Sequence, residues 1–127
     1  MPGGGIEMRK KILLVDDTQT VTTLERVILG DGYDYLEARD GEEAFQKARV
    51  ARPDLILMDL NMPGKSGIDG LRSLKAEETT AGIPVVIVTT RSEAGAREAC
   101  VQLGCAEFLT KPIDRDALQE TVRRFLG

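Results

Sequence analysis

Acidic, hydroxyl and amine side chains follow the short apolar runs of this 127-residue sequence. Asp16 and Asp17 follow one run, Asp59 and Thr89 follow two others, and Lys111 stands just beyond a weaker one. Carboxylates that crowd together repel one another, and either a retained proton or a divalent cation relieves that repulsion. Oxygen ligands suit Mg²⁺, which keeps several waters and shares the oxygens of phosphate groups.

The composition excludes several other kinds of chemistry. The sequence has no histidine, which removes histidine-activated nucleophiles and histidine-ligated zinc. Cys100 and Cys105 are separated by four residues, and we expect both to be small apolar residues in or near the core. A net charge of −4 disfavours nucleic-acid binding, and no apolar run reaches the length of a membrane span. Because the N-terminus also lacks the features of a signal peptide, we expect a cytoplasmic domain without membrane contact.

Short apolar runs predict the strands that position the polar side chains. Residues 12–15, 55–58 and 85–88 are continuous apolar segments, which is typical of strands buried on both faces of a parallel sheet. Residues 33–38 and 106–109 are weaker candidates for a second and a fifth strand. Ligands bind such sheets at the carboxyl ends of the strands, so the polar side chains are expected to meet at one edge.

Apolar residues at helical spacing separate these strands. The first helix is predicted to carry its apolar face on Val21, Leu24, Val27 and Ile28. A second helix is predicted between Asp40-Gly41 and Pro53, with Ala44, Phe45, Ala48 and Val50 as its apolar residues. A third is predicted at about 67–78. A fourth is predicted from a cap at Ser92 to Leu103, and the last after an N-cap at Asp114.

Five strand–helix repeats predict an α/β fold, a (βα)5 doubly wound parallel sheet with the flavodoxin-like strand order 2-1-3-4-5. Residues 1–8 are expected to be a disordered tail or a cloning remnant, and residues 9–127 a single domain. A flavin phosphate is disfavoured at the sheet edge, because Asp16 and Asp17 precede the first turn and would repel it.

Four motifs together resemble the receiver domains of two-component response regulators. They are Leu13-Leu14-Val15-Asp16-Asp17, Asp59-Leu60-Asn61-Met62-Pro63-Gly64 with Gly67, Val88-Thr89, and Lys111-Pro112. The resemblance covers roughly residues 10–127, and each motif stands at the end of a predicted strand. It implies a phosphoacceptor domain of a phosphorelay, with Mg²⁺ as its cofactor.

The resemblance also implies a role for each matched residue. Asp59 would accept the phosphoryl group, and Lys111 would pair first with Asp59 and then with a phosphoryl oxygen. Asp17 would bind Mg²⁺ directly, and Asp16 mainly through water. Asp59 and the backbone carbonyl of Asn61 would complete the protein ligands of the ion.

Switching and partners are implied in the same way. Thr89 would move toward the phosphoryl oxygens and leave a space that the ring of Phe108 fills by turning inward. The Lys111–Pro112 peptide bond is often cis in the family. A histidine kinase or a histidine phosphotransfer protein would supply the phosphoryl group, since this chain has no histidine of its own. The fourth helix, fifth strand and fifth helix would contact an output partner or a second copy, at about 92–103, 106–109 and 114–126.

The sequence departs from the family pattern beside the phosphoacceptor. Thr90 stands where the family most often has Ala or Gly, so we expect slower entry of a donor or of water. Asn61 and Arg91 lie where the family varies and where phosphoryl lifetime is tuned. Arg91 could either cover the phosphoryl group or lie in solvent.

Two other functions stay open beside the receiver. A pseudo-receiver would act as a constitutive interaction module, although the complete set of acids and Lys111 disfavours it. A magnesium-dependent phosphatase would need a second acid close behind its nucleophile, and Asn61 stands there instead. The expected domain would catalyse its own phosphorylation and dephosphorylation and would not serve as a dedicated enzyme. It would either stand alone or be part of a larger protein.

Overall fold

The computed structural model of the chain describes residues 9–62, 67–91 and 94–127. Within these ranges strands and helices alternate, and a one-turn helix follows the third long helix. The elements are β1 (Lys11–Val15), α1 (Gln19–Leu29), β2 (Asp34–Ala38), α2 (Gly41–Ala51), β3 (Leu55–Met58), α3 (Gly67–Ala76), α4 (Glu78–Ala81), β4 (Val85–Thr89), α5 (Ala94–Gln102), β5 (Glu107–Thr110) and α6 (Arg115–Leu126).

The strands form one parallel sheet in the order β2-β1-β3-β4-β5, which confirms the predicted fold. Val15, the last residue of β1, lies opposite both Ala38 of β2 and Met58 of β3. At the other side of the sheet Thr89 lies opposite Thr110. The carboxyl ends of the strands are therefore nearly level, and the residues that follow them converge at one edge.

Apolar layers cover both faces of the sheet. One layer contains Leu13, Ile56 and Ile87 together with apolar residues of α2, α3 and α5. The other contains Ile12 and Leu57 together with apolar residues of α1 and α6. Successive strand residues point to opposite faces and are fully buried, which explains the continuous apolar runs.

The buried face of α1 agrees only in part with the predicted one: Ile28 packs against the apolar layer as predicted. Leu24 and Val27 are 45% and 72% exposed, whereas Thr22 and Glu25 are buried. Thr22, Glu25 and the partly buried Leu29 are spaced by three and four residues, so they share one face of the helix. The prediction failed because an acidic residue, Glu25, occupies the central position of the face that packs on the sheet, where the apolar pattern places none.

Helix ends also differ in detail from their predictions. The third helix ends at Ala76 and does not continue to residue 78, and a separate turn follows. The buried hydroxyl of Thr80 in that turn donates to the carbonyl of Leu74 at 2.6 Å, which ties α4 to the end of α3. Val50, assigned to the apolar stripe of α2, is exposed. Residues 1–8, Pro63, Gly64 and the predicted cap Ser92 lie outside the described residues.

Other local predictions are confirmed. The side chain of Asp40 accepts the N–H of Glu43 at the start of α2. The side chain of Asp114 accepts the N–H of Ala117 at the start of α6, as an N-cap does. Cys100 is buried and Cys105 is half-buried, both as free thiols.

Two tyrosines mark the β2 edge of the sheet. The rings of Tyr33 and Tyr35 meet edge to face with their centroids 6.3 Å apart, and the Tyr35 hydroxyl donates to the carbonyl of Gly30 at 2.6 Å. The Arg26 guanidinium lies 5.4 Å from the centroid of the Tyr35 ring, so α1 contacts this edge as well.

Among the helices of the described residues, none has the length and apolar character to cross a membrane.

Candidate functional site

Three carboxylates meet at the carboxyl edge of the sheet. Asp16 and Asp17 follow β1 and Asp59 follows β3, and one oxygen of each lies within 4.8 Å of the others. Asp16 and Asp59 are 5% and 6% exposed, whereas Asp17 is exposed. The structure therefore places the three predicted acids together, two of them shielded from solvent and one open to it.

Lys111 lies between the two buried carboxylates. Its Nζ donates to Asp16 Oδ2 at 2.8 Å and to Asp59 Oδ2 at 3.4 Å. Its backbone N–H donates to the carbonyl of Thr89 at 2.8 Å, and the Lys111–Pro112 peptide bond is cis, as the resemblance implies. The contact with Asp59 matches the predicted pairing, but the shorter contact is with Asp16.

Burial and charge act in opposite directions on the protonation of this cluster. Burial raises the pKa of the Asp16 carboxyl, and hydrogen bonds from Lys111 and Thr18 offset only part of that rise. Burial alone would lower the pKa of the Lys111 ammonium. Its hydrogen bond to Asp16 and the charges of Asp59 and Asp16 outweigh burial, so the pKa of Lys111 is raised. Lys111 therefore stays charged and neutralises part of the acid cluster.

Backbone N–H groups hold the second oxygen of each buried carboxylate. The N–H of Thr18 donates to Asp16 Oδ1 at 2.9 Å, and the N–H of Asn61 donates to Asp59 Oδ1 at 3.2 Å. In each case the donor lies two residues after the acid, so the turn at the strand end fixes the carboxylate. Both Oδ2 atoms are then presented to Lys111.

Close backbone packing at Gly67 fixes the segment that carries Asp59. A Cβ atom at Gly67 would lie 2.1 Å from the carbonyl oxygen of Asp59 and 2.7 Å from Leu60 Cα. The N–H of Gly67 donates to the carbonyl of Leu60 at 3.3 Å. The start of α3 thus rests directly on the backbone after β3, an approach that a side chain would prevent.

Hydroxyl and amide groups border the acid cluster on the β4 side. Thr89 is fully buried, and its Oγ1 accepts the N–H of Arg91 at 3.2 Å. Thr90 and Asn61 are exposed, and the Asn61 side-chain amide donates to Thr90 Oγ1 at 3.1 Å. The sequence analysis noted Thr90 and Asn61 as two separate positions and predicted no contact between them. Their contact joins positions far apart in the chain, so no local pattern predicts it.

Phe108 lies in the apolar layer beneath α5 and is 6% exposed. The guanidinium of Arg97 on α5 lies 5.5 Å from the centroid of its ring. A cavity of about 190 Å³ adjoins the ring, and Leu109, Ala117 and Leu118 are among its other lining residues. The ring is already buried, so any switching movement would be a shift within the space between β5, α5 and α6.

Glu25 is a buried acid that the sequence analysis missed. Its side chain is 3% exposed, and within the described part of the chain its Oε1 has no hydrogen-bond partner. Burial, together with the nearby charge of Asp16, raises the pKa of Glu25 to about 8. At neutral pH Glu25 therefore holds a proton and adds little negative charge to the neighbouring acid cluster.

Known proteins resemble this chain over nearly its whole length. The family model described as the response regulator receiver domain matches residues 12–123. The polar-differentiation response regulator DivK of Brucella anthropi is 37% identical over 121 residues, which cover 94% of this chain and 98% of that protein.

Solved structures agree with this match. The chemotaxis response regulator CheY4 of Vibrio cholerae has a TM-score of 0.84 at 30% identity, covering 94% of this chain and 100% of that one. The receiver domain of a sensor histidine kinase of Pseudomonas aeruginosa, with a magnesium ion coordinated in its active-site cleft, has a TM-score of 0.85 at 33% identity, covering 94% and 99%. Fold, sequence and acid cluster thus lead to one assignment: the chain belongs to the family of response regulator receiver domains.

Proposed function

We propose that this chain is a phosphoacceptor switch in which Asp59 takes a phosphoryl group from the phosphohistidine of a histidine kinase or a histidine phosphotransfer protein. The reaction would depend on Mg²⁺. The observation that carries the proposal is one close grouping of charges. Oxygens of Asp16, Asp17 and Asp59 lie within 4.8 Å of one another, and Lys111 Nζ lies 2.8 and 3.4 Å from two of these carboxylates.

The donor set of the acid cluster suits a hard divalent cation. Three carboxylate oxygens at this spacing can share one ion, and the exposure of Asp17 leaves room for bound waters. Asp17 and Asp59 would bind Mg²⁺ directly, Asp16 would hold one of its waters, and the carbonyl of Asn61 would complete the protein ligands. Bound there, the ion would neutralise charge on the oxygens of the transferred group. The related kinase receiver domain, solved with magnesium in its cleft, supports this assignment.

Asp59 would act as the nucleophile. The N–H of Asn61 and the ammonium of Lys111 hold its two oxygens in place. A carboxylate oxygen would form a bond to phosphorus while the bond between phosphorus and the histidine nitrogen breaks, and the nitrogen would keep that electron pair. Lys111 would then move from the carboxylate to a phosphoryl oxygen, so its charge would stabilise the product as well as the resting site.

Phosphorylation would change both charge and hydrogen bonding at the sheet edge. A phosphoryl group adds about two negative charges and three acceptor oxygens. The hydroxyl of Thr89 can donate to one of these oxygens while it still accepts from Arg91. The Phe108 ring would shift into the space that Thr89 leaves. Because Arg97 stacks on this ring, its movement would be transmitted to α5.

We place the output surface on α5, β5 and α6, which correspond to the predicted fourth helix, fifth strand and fifth helix. Phe108 and its cavity lie among these elements, so a movement of the ring would reshape that face. An output partner or a second copy of the chain would bind there. Contact with nucleic acid or with a membrane is not part of the proposal, and a cytoplasmic location stays a prediction.

Intact mass spectrometry tests the proposed function. After incubation with Mg²⁺ and acetyl phosphate, the wild type is expected to gain one phosphoryl group and to lose it slowly once the donor is removed. Asp59→Ala should gain none, EDTA should prevent the gain, and Asp116→Ala, at an exposed acid of α6, should behave like the wild type. A folded wild type that gains nothing would refute the proposal and favour a constitutive interaction module.

A further inference from the structure

Both cysteines of the chain stand at the C-terminal end of α5, in a Schellman motif. The N–H of Cys105 donates to the carbonyl of Cys100, and the N–H of Gly104 donates to the carbonyl of Val101, both at 3.0 Å. Gly104 has a φ of +93°, the left-handed conformation that closes this motif. Cys100 and Cys105 therefore occupy the two positions whose side chains commonly touch across a Schellman motif.

The backbone geometry brings the two cysteines within reach of a disulfide. Even a straight path from one Cα atom to the other through the Cys105–Cys100 hydrogen bond would span only about 7 Å, and the real path is bent. Disulfides join residues whose Cα atoms lie about 4.4–6.8 Å apart. Both side chains also pack in the apolar layer that contains Phe108, so the two thiols lie on the same face of the sheet.

We propose that Cys100 and Cys105 are an oxidation site, at which a low-molecular-weight disulfide such as oxidised glutathione forms an intramolecular disulfide that locks the end of α5. The formation of this bridge does not depend on the phosphoacceptor chemistry proposed above. Because α5 belongs to the proposed output surface, the bridge would restrain one end of that surface, and this consequence alone rests on the proposed function. In a reducing compartment the pair would stay a dithiol until oxidant accumulates.

The exposure of the two sulfurs sets the order of the reaction. Cys105 is half-buried and Cys100 is fully buried, so Cys105 meets the oxidant first. Its thiolate bonds to one sulfur of oxidised glutathione, and one glutathione thiolate leaves with the electron pair. The Cys100 thiolate then bonds to the Cys105 sulfur and displaces the second glutathione. The two cysteines lose two electrons and two protons, and one glutathione disulfide becomes two glutathione thiols.

Burial makes both steps slow at neutral pH. Burial, with the neighbouring Cys105 as a smaller cause, raises the pKa of the Cys100 thiol to about 11. Burial also raises the pKa of the Cys105 thiol. Since the thiolate is the nucleophile, the rate of oxidation should rise about tenfold from pH 7 to pH 8. A thiol of high pKa is also a poor leaving group, so reduction of the bridge should be slow as well.

Intact mass spectrometry follows the reaction in the folded full chain. Reduced protein is incubated in EDTA with oxidised glutathione at pH 8, quenched with acid, and then treated in urea with N-ethylmaleimide, which labels any remaining thiol. The wild type is expected to lose two hydrogens and to take up neither label nor glutathione. Cys100→Ala should stop at one bound glutathione, because no second thiol can displace it from Cys105. Cys105→Ala should keep Cys100 reduced and take up one label.

Two glycine substitutions test whether the folded helix end, and not closeness in sequence, brings the sulfurs together. Gly104→Ala strains the left-handed position of the motif, whereas Gly95→Ala lies in the first turn of α5 with open space around it. At a fixed ratio of reduced to oxidised glutathione, we expect Gly104→Ala to lower the ratio of disulfide to dithiol about fivefold, because the reduced chain can relax by opening the helix end and the bridged chain cannot. Gly95→Ala should match the wild type. In the oxidised wild type, the N–H groups of Gly104 and Cys105 should exchange with solvent about tenfold more slowly by NMR.

The results separate an oxidation site from two cysteines that only fill the apolar side of the motif. A folded wild type that stays fully reduced, or that stops at a glutathione adduct, would overturn the proposal. An unchanged disulfide ratio in Gly104→Ala would assign the reaction to closeness in sequence and overturn it too, as would unchanged amide exchange after oxidation. None of these measurements uses Mg²⁺ or a phosphodonor, so their failure leaves the proposed function intact. Circular dichroism checks that each variant folds, and if Cys100→Ala does not, a glutathione adduct in Cys105→Ala would contradict the order of attack.

Discussion

The wild type is expected to lose stability as the pH rises, because the buried Glu25 resists ionisation. Replacing Glu25 by glutamine is expected to remove this loss. The Glu25 side chain is 3% exposed, and burial is the main cause that raises its pKa from the ordinary 4.5 to about 8. Folding therefore favours the protonated form. Glutamine keeps the shape of that form and cannot ionise, so Glu25→Gln isolates the cost of burying the charge.

The sign and size of the effect follow from the two pKa values. Below about pH 4.5 the carboxyl is protonated in both the folded and the unfolded chain, and it gives no pH dependence. Between 4.5 and about 8 the unfolded chain has lost a proton that the folded chain keeps, so the free energy of unfolding falls as pH rises. The full penalty is roughly 5 kcal/mol above pH 8, and about 3 kcal/mol of it is present at pH 7.

Urea unfolding of both proteins, followed by circular dichroism between pH 5 and pH 9 in EDTA, measures this penalty. The free energy of unfolding of Glu25→Gln minus that of the wild type should grow by about 4 kcal/mol across this range. Glu120→Gln, at an exposed position of α6, is the matched control, and its difference should stay within about 0.5 kcal/mol.

A difference that stays constant with pH would refute the reasoning. It would mean that Glu25 is ionised in the folded chain and has found a counter-charge or water, so that its pKa lies near the ordinary value. A decrease of this difference with rising pH would contradict the burial of the Glu25 side chain close to the charge of Asp16.

Three further perturbations test other parts of the structure. Gly67→Ala should lower the free energy of unfolding by about 3 kcal/mol, because its Cβ would overlap backbone atoms. Gly95 has open space around it, so Gly95→Ala should cause no loss in the same urea experiment. Equal effects of the two substitutions would contradict the close packing at Gly67. Lys111→Met should cost about 3 kcal/mol in EDTA at pH 7 because two buried carboxylates lose their ammonium, and a loss just as large at pH 4 would refute that cause. Asp114→Ala should lower the free energy of unfolding by about 1 kcal/mol in thermal unfolding, and Asp114→Asn by much less, because asparagine can still accept the N-cap hydrogen bond. Equal losses in the two variants would contradict a role for that hydrogen bond.

The strands and the main acids could be predicted because their physical signals are local. A strand covered on both faces must be apolar at every position, as residues 12–15 and 55–58 are. The parallel arrangement then brings the carboxyl ends to one edge. That rule alone placed Asp16, Asp59 and Lys111 together, although Lys111 lies 95 positions after Asp16 in the chain.

Other features depend on distances that no local pattern records. Glutamate side chains usually lie in solvent and no local pattern marks Glu25 as an exception, yet the packing of α1 places it in the interior. The break between α3 and α4 depends on the Thr80 hydroxyl reaching back to a carbonyl six residues earlier. Lys111 lies nearer to Asp16 than to Asp59 because of the relative positions of separate loops. The hydrogen bond between Asn61 and Thr90 has the same origin.

The tyrosine pair at the β2 edge has a practical consequence for spectroscopy. The chain has two tyrosines and no tryptophan, so its intrinsic emission comes from this pair, beside the edge strand and α1. Ions or ligands at the opposite end of the strands would leave that emission nearly unchanged. Optical titrations of the acid cluster therefore require an introduced fluorophore, whereas the natural signal can show whether the edge strand detaches before the rest of the domain unfolds.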